Sequence, residues 1–296
     1  MPADFSSGNS QTIPILSLVL GAALWGTYWW PLHFFTGQGF GGPWLIAVTY
    51  LLLAGGGSLV AWLRGLGDIR RSDWRSLVLL ALFGGWTNVA FMLALFHGQV
   101  VIVLLLFYLS PVWEVLLARV FLKEDIGWRG GLAVLLAVSG TILVVLQGQM
   151  RFESAGLLTL FFAVSSGFAF ALSNVVMRGA RAMSDLVRAV AIWWGCAIIG
   201  LAFALSQPWP HGARWPVLLV PLFAWFWVGF ATASTVYGVS RLPIRISAVI
   251  MPIEVIVGAV SAWVWANETM TIIEIVGAAL ILSASFVQLV RQEART

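Results

Sequence analysis

The chain has 296 residues, of which 60% are hydrophobic and only 9% charged, a balance that excludes an ordinary soluble domain and leaves a lipid bilayer as the suitable solvent. Its net charge of +4 does not argue for nucleic acid as a partner, because the basic residues lie between apolar runs and sort by side of the membrane. The single cysteine, Cys196, excludes a disulfide or a cysteine-rich metal site within one chain.

An α-helix needs about 20 mostly apolar residues to cross a hydrocarbon core. Ten such runs follow one another, at 13–35, 43–63, 74–96, 99–122, 128–146, 155–177, 186–206, 215–240, 244–266 and 271–290. The predicted fold class is therefore all-α integral membrane, with ten transmembrane helices. Residues 1–11 hold no Lys or Arg and no convincing cleavage site follows, so the first run is read as a retained helix and not as a signal peptide. The longest connections, 64–73 and 207–214, are too short for a soluble domain.

Threading ten spans from a cytoplasmic N-terminus places fourteen of the sixteen Lys and Arg residues on the cytoplasmic side, with only Arg151 and Arg214 outside. One helix more or fewer would scramble this sorting. The expectation is a multi-pass protein of the inner (plasma) membrane with both termini in the cytoplasm.

The chain also repeats. Lys123-Glu124 closing the fourth run corresponds to Asn267-Glu268 closing the ninth, 144 residues on. In the same register, Trp25-Gly26 in the first run corresponds to Phe170-Ala171 in the sixth, one residue further apart. This predicts two five-helix repeats, 1–152 and 153–296. Five is odd, so the second repeat enters the membrane from the opposite side, and inverted repeats are the architecture of alternating access.

Two sets of residues carry a resemblance. They are Phe107-Tyr108-Leu109-Ser110-Pro111 followed by Phe121-Leu122-Lys123-Glu124, and Met251-Pro252-Ile253-Glu254 followed by Asn267-Glu268. In order and spacing they resemble the drug/metabolite transporter superfamily of the EamA type, over essentially the whole chain. The family often has Glu-Pro in the ninth helix, whereas this chain has Glu254-Val255 with the proline at Pro252. Length and tryptophan abundance are most similar to the aromatic amino acid exporters of that superfamily. The resemblance implies a small-molecule substrate carried between the two repeats.

Of the 17 Trp, Trp44, Trp62, Trp74, Trp128, Trp209, Trp215, Trp263 and Trp265 fall near span ends, as interfacial anchors do. Trp25, Trp86, Trp113, Trp193, Trp194, Trp225 and Trp227 fall well inside spans, where they either line a cavity or fill helix contacts. Trp25, Tyr28 and Trp29 are spaced i, i+3 and i+4, so they are predicted to share one helix face. With Trp86, Asn88 and Phe91 of the third helix, and Tyr108 of the fourth, they form the candidate substrate-binding set. Ser173, Asn174, Ser234 and Tyr237 supply its polar edge or, as the alternative, interhelical hydrogen bonds.

Two carboxylates lie deep in the spans, Glu114 and Glu254, each within a turn of a proline, Pro111 and Pro252. A proline inside a helix frees a carbonyl and permits a kink, so these four residues are coupling or gating candidates. The alternative is a neutral, hydrogen-bonded Glu that only holds the bundle together. Gly55, Gly56, Gly57, Gly130, Gly131 and Gly140 read as close-packing positions, and so do Gly277 and Ser283, within the chain or between subunits; the oligomeric state is left open.

Catalytic arrangements are missing. His33, His97 and His211 lie near span ends or in a loop, there is no His-Glu-x-x-His motif, and one lysine outside any P-loop leaves no ATP site. No catalytic residue, metal or cofactor is implied. The expected function is secondary transport, namely export of aromatic and other apolar amino acids. The alternatives are a carrier for another amphipathic metabolite or drug, and a passive channel, which would usually show a ring of repeated charges or a filter loop.

Overall fold

The computed structural model describes residues 8–66, 73–122, 127–149, 156–179, 183–210, 214–242, 246 and 250–293. Lys123, Glu124, Arg151, His211 and the expected boundary at 152/153 lie outside the described residues, as do the side chains of Pro111, Phe121, Leu122, Arg214 and Trp215.

Among the described residues the regular elements are helices, as a bilayer requires of a chain whose backbone groups must be satisfied internally. They are α1 (Gly8–Gly26), α2 (Trp29–Gly37), α3 (Gly42–Leu63), α4 (Trp74–His97), α5 (Val100–Phe107), α6 (Ser110–Leu122) and α7 (Gly127–Gln149). After these come α8 (Gly156–Gly179), α9 (Asp185–Ala204), α10 (Arg214–Leu222), a π-helical segment (Phe223–Gly229), α11 (Phe230–Arg241), α12 (Ile253–Ala266) and α13 (Ile272–Glu293).

Six stretches are long and apolar enough to cross a membrane: Gln11–Gly37, Gly42–Leu63, Trp74–His97, Gly156–Met177, Asp185–Ala204 and Val217–Val239. Val100–Glu114, Gly130–Val144, Ile253–Ala266 and Ile272–Ala284 are shorter apolar helices. In chain order these match the ten predicted runs.

Helix ends follow local chemistry. The Ser184 side chain accepts from the Val187 amide at the start of α9, with Asp185 in its first turn. At α13 the Thr271 hydroxyl accepts from the Glu274 amide while Glu274 accepts from the Thr271 amide, a reciprocal capping box. Asn267 ends α12 in the left-handed region, at φ 55°.

Several spans are interrupted. The first breaks at Thr27-Tyr28, the fourth at Tyr108-Leu109, and α12 begins only after Pro252. In the eighth, Pro221 lacks the amide proton for its own helical bond, and the chain continues through the wider π turn.

The most extensive helix contacts are α7 with α13, α4 with α8 and α9, α3 with α9, α1 with α11 and α12, α8 with α5 and α6, and α5 with α12. Small residues permit several of these. A Cβ at Gly26 would overlap the Glu254 carbonyl oxygen, and one at Gly140 would lie 2.6 Å from the Gly277 carbonyl oxygen. Gly277 therefore serves a contact within the chain. Gly56 and Gly57 make room for Trp225 and Trp193, whereas Gly55 faces open space.

Candidate transport site

The site is built around the breaks in the fourth and ninth spans. Where α12 starts at Pro252, the Met251 carbonyl accepts from the Glu254 amide at 3.0 Å and also from the Tyr108 hydroxyl at 2.7 Å. The same hydroxyl lies 3.3 Å from Glu254 Oε2. Tyr108 itself occupies the break between α5 and α6, so each interruption is held by the other. Pro252 sits at the helix N-terminus, not in mid-helix as the sequence suggested, because α12 has its first turn there.

The break in the first span divides the expected Trp25, Tyr28, Trp29 face. Trp25 and Tyr28 stay together, edge to face at 5.3 Å, and Tyr28 stacks on Phe223 of the π turn at 5.8 Å. The Tyr28 hydroxyl approaches Met92 Sδ at 3.1 Å. Trp29 turns towards α12 and donates to Ser261 Oγ at 3.0 Å. The i, i+3, i+4 rule holds only for continuous α-helix, and α1 ends at Gly26.

Asn88 accepts from the Tyr50 hydroxyl at 3.2 Å and donates to the Gly84 carbonyl of its own helix at 2.9 Å. Phe91 meets Phe107 at 5.0 Å, and Phe107 meets Phe170 at 5.4 Å. Trp86 donates to Ser165 Oγ at 3.2 Å on α8. Asn174 of α8 donates to Glu114 Oε1 of α6 at 2.7 Å, so the second deep carboxylate is also bonded across helices.

The remaining residues lie elsewhere. Ser173 is buried and donates to the Phe170 carbonyl of its own helix. Ser234 is buried where α1 meets α11, and its carbonyl accepts from Ser17 Oγ. Tyr237 is 36% exposed with the Arg241 guanidinium 3.9 Å over its ring. Trp194 and Trp225 are also exposed. Among the described residues no group of three His, Cys, Asp or Glu side chains could hold a metal ion.

A solved crystal structure is similar over 97% of this chain and 99% of its own, with a TM-score of 0.59 at 20% identity, which supports the fold. The model of the EamA-like transporter family matches residues 12–146. A probable terminal-alkyne amino-acid exporter of Streptantibioticus cattleyicolor is 30% identical over 234 residues, covering 72% of this chain and 73% of that one. The chain belongs to the EamA-like transporter family. An uncharacterized transporter of Archaeoglobus fulgidus is 24% identical over 74% of this chain and 77% of its own. These relatives point to a transporter and not an enzyme.

In this EamA-like transporter, sequence reasoning missed several residues that complete the cluster. Tyr50 and Ser261 are hydrogen-bond partners of Asn88 and Trp29, and no spacing rule links residues so far apart. The Trp113 indole N–H, beside Glu114, is buried with no hydrogen-bond partner among the described residues.

Glu268, used above only as a repeat marker, accepts from the Val100 and Val101 amides at 2.9 and 3.4 Å, capping α5. Burial raises its carboxyl above the ordinary glutamate range, while the two amides draw it back.

Proposed function

We propose that the protein exports α-amino acids with apolar side chains, aromatic ones foremost, across the plasma membrane by alternating access. The observation that carries this reading is the pair of cross-helix contacts Tyr108–Glu254 and Asn174–Glu114, which join the polar groups of broken or neighbouring spans beside the aromatic residues Trp25, Tyr28, Trp29, Trp86, Phe91 and Tyr108 and the amide of Asn88. Aromatic walls bind an apolar side chain by stacking and area burial, and a few polar groups fix the amino acid backbone. The amino-acid exporter named among the relatives supports the same substrate class.

Two inverted repeats, 1–152 and 153–296, supply the mechanism. Helix partnerships support this division, because exchanging each span for its counterpart returns most of the extensive contacts, although α4–α9 exchanges only with the slighter contacts of α3 with α10 and the π-helical segment. The α4–α8 pair exchanges with α11–α1, α1–α12 exchanges with α8 against α5 and α6, and α3–α9, α7–α13 and α5–α12 each map onto themselves. The breaks of the fourth and ninth spans correspond as well, since Tyr108 and Met251 are 143 residues apart, whereas the first-span break and the π turn fall opposite the continuous α8 and α4. Rocking one repeat against the other would open the breaks to either side in turn. Charge sorting supports cytoplasmic termini, and Glu114, Glu254, Pro111 and Pro252 are the groups proposed to gate or couple the movement.

The test is competition for export of labelled L-phenylalanine from vesicles. Tryptophan, leucine and tyrosine are expected to compete, and aspartate and lysine are not. Equal competition by all five would reject the apolar substrate class.

A further inference from the structure

A cavity of about 540 Å³ lies away from the helix breaks, between the end of the first span and the end of the ninth. Its lining includes Trp29, Trp30, His33, Phe34, Trp265 and Glu268. The size is in the range of small-molecule pockets. On the charge-sorted topology proposed above, both span ends lie at the outer face.

Three kinds of group converge there. Glu268 brings a carboxylate whose two oxygens each accept one backbone amide, and each oxygen has a second lone pair to offer. His33 is exposed, lies edge-on to Trp29 at 5.4 Å and is electrostatically coupled to Glu268. The exposed Trp30 and Trp265 face one another at 6.4 Å, 48% and 60% exposed, and form an apolar wall. Among the described residues the pocket lining contains neither lysine nor arginine and a single imidazole, which suits a phosphate poorly.

We infer that this cavity is a second, outer binding site for a zwitterionic α-amino acid, with its ammonium on Glu268, its carboxylate on His33 and its side chain against Trp30 and Trp265. An α-amino acid carries its two charges on adjacent atoms of one small unit, and the cavity presents one acceptor, one donor and an indole wall. Indole faces favour an ammonium as well as an apolar chain. The inference deepens the export reading and rests on it for the substrate class. It gives the exported molecule a binding site at the outer mouth before release, and gives external amino acid a site from which to start exchange.

The full-length chain labelled with 5-fluorotryptophan, in nanodiscs of phosphatidylglycerol, provides the test. The Trp30 and Trp265 fluorine resonances are assigned by W30F and W265F. Both are expected to shift saturably with L-leucine and much less with 4-methylpentanoate, which lacks the ammonium, or isoamylamine, which lacks the carboxylate. H33L, which leaves no donor at that position, is expected to weaken the leucine response about tenfold, the size of one charge-assisted hydrogen bond.

Resonances that leucine leaves unmoved, or that 4-methylpentanoate moves equally, overturn the proposal. So does a shift that appears when phosphatidylethanolamine enters the nanodisc and that leucine then leaves unchanged, which gives the cavity to lipid. Wild-type protein that shifts with leucine but does not transport it contradicts the export reading and leaves the outer site standing. Transport without the shift removes the site alone.

Discussion

The Tyr108 hydroxyl lies 3.3 Å from Glu254 Oε2 and donates to the Met251 carbonyl at 2.7 Å, so one helix break is fastened to the other. If these breaks are the gates, releasing the fastening changes turnover more than affinity. Tyr108→Phe is expected to alter the maximal rate of counterflow severalfold with little change in KM, and to lower stability by about 1 kcal/mol. Glu254→Gln is expected to remove the pH dependence of the rate. A rate and pH profile unchanged in both variants would make the contact purely structural.

Gly26 is the point where α1 touches α12. Gly26→Ala sets a Cβ against the Glu254 carbonyl oxygen, which is backbone and gives little. Overpacking of this kind costs about 1–3 kcal/mol, so the apparent Tm in detergent is expected to fall. Gly55→Ala meets nothing within 4 Å and is expected to be neutral or stabilising by up to about 1 kcal/mol, through better helix propensity. Similar losses in both variants would contradict the packing account.

Asn174→Leu removes the 2.7 Å donor to Glu114. Removing a hydrogen bond to a half-buried carboxylate is expected to cost about 1 kcal/mol. Asn174→Asp, which sets a second carboxylate against Glu114, is expected to be worse than Leu when both are compared by thermal unfolding at neutral pH.

Glu268 offers a pH signature outside the spans. Its carboxyl is raised by burial, so the folded state binds the proton more tightly than the unfolded state does. Its contribution is fully present below the ordinary glutamate range and is lost as pH rises through the raised value. The apparent Tm of the wild type is therefore expected to drop, relative to Glu268→Gln, on passing upward from about pH 4. A difference that is constant with pH, or grows in the opposite direction, would contradict this sign.

Much of the fold is legible in the sequence because bilayer thickness fixes run length. The ten apolar runs match the helical segments. The breaks were harder to read. Pro252 marked one, but the first span breaks at Thr27-Tyr28, where Pro31 withholds an amide from the Thr27 carbonyl and Gly26 lets the α12 backbone come close.

That approach separates Trp29 from Trp25 and Tyr28, which helical periodicity had joined. Glu114 and Glu254 stood out through the cost of a carboxylate in lipid, yet their partners Asn174 and Tyr108 are 60 and 146 residues distant. Sequence spacing carries no information about such tertiary pairs. Glu268 looked like a loop marker because its role depends on the free amides of another span.

Counterflow in proteoliposomes tests the central claim most directly. Vesicles loaded with unlabelled L-phenylalanine and diluted into a trace of labelled L-phenylalanine should show transient, saturable accumulation of label, accelerated by internal substrate. Label entry that is linear in concentration and indifferent to internal phenylalanine would contradict an alternating-access amino acid carrier.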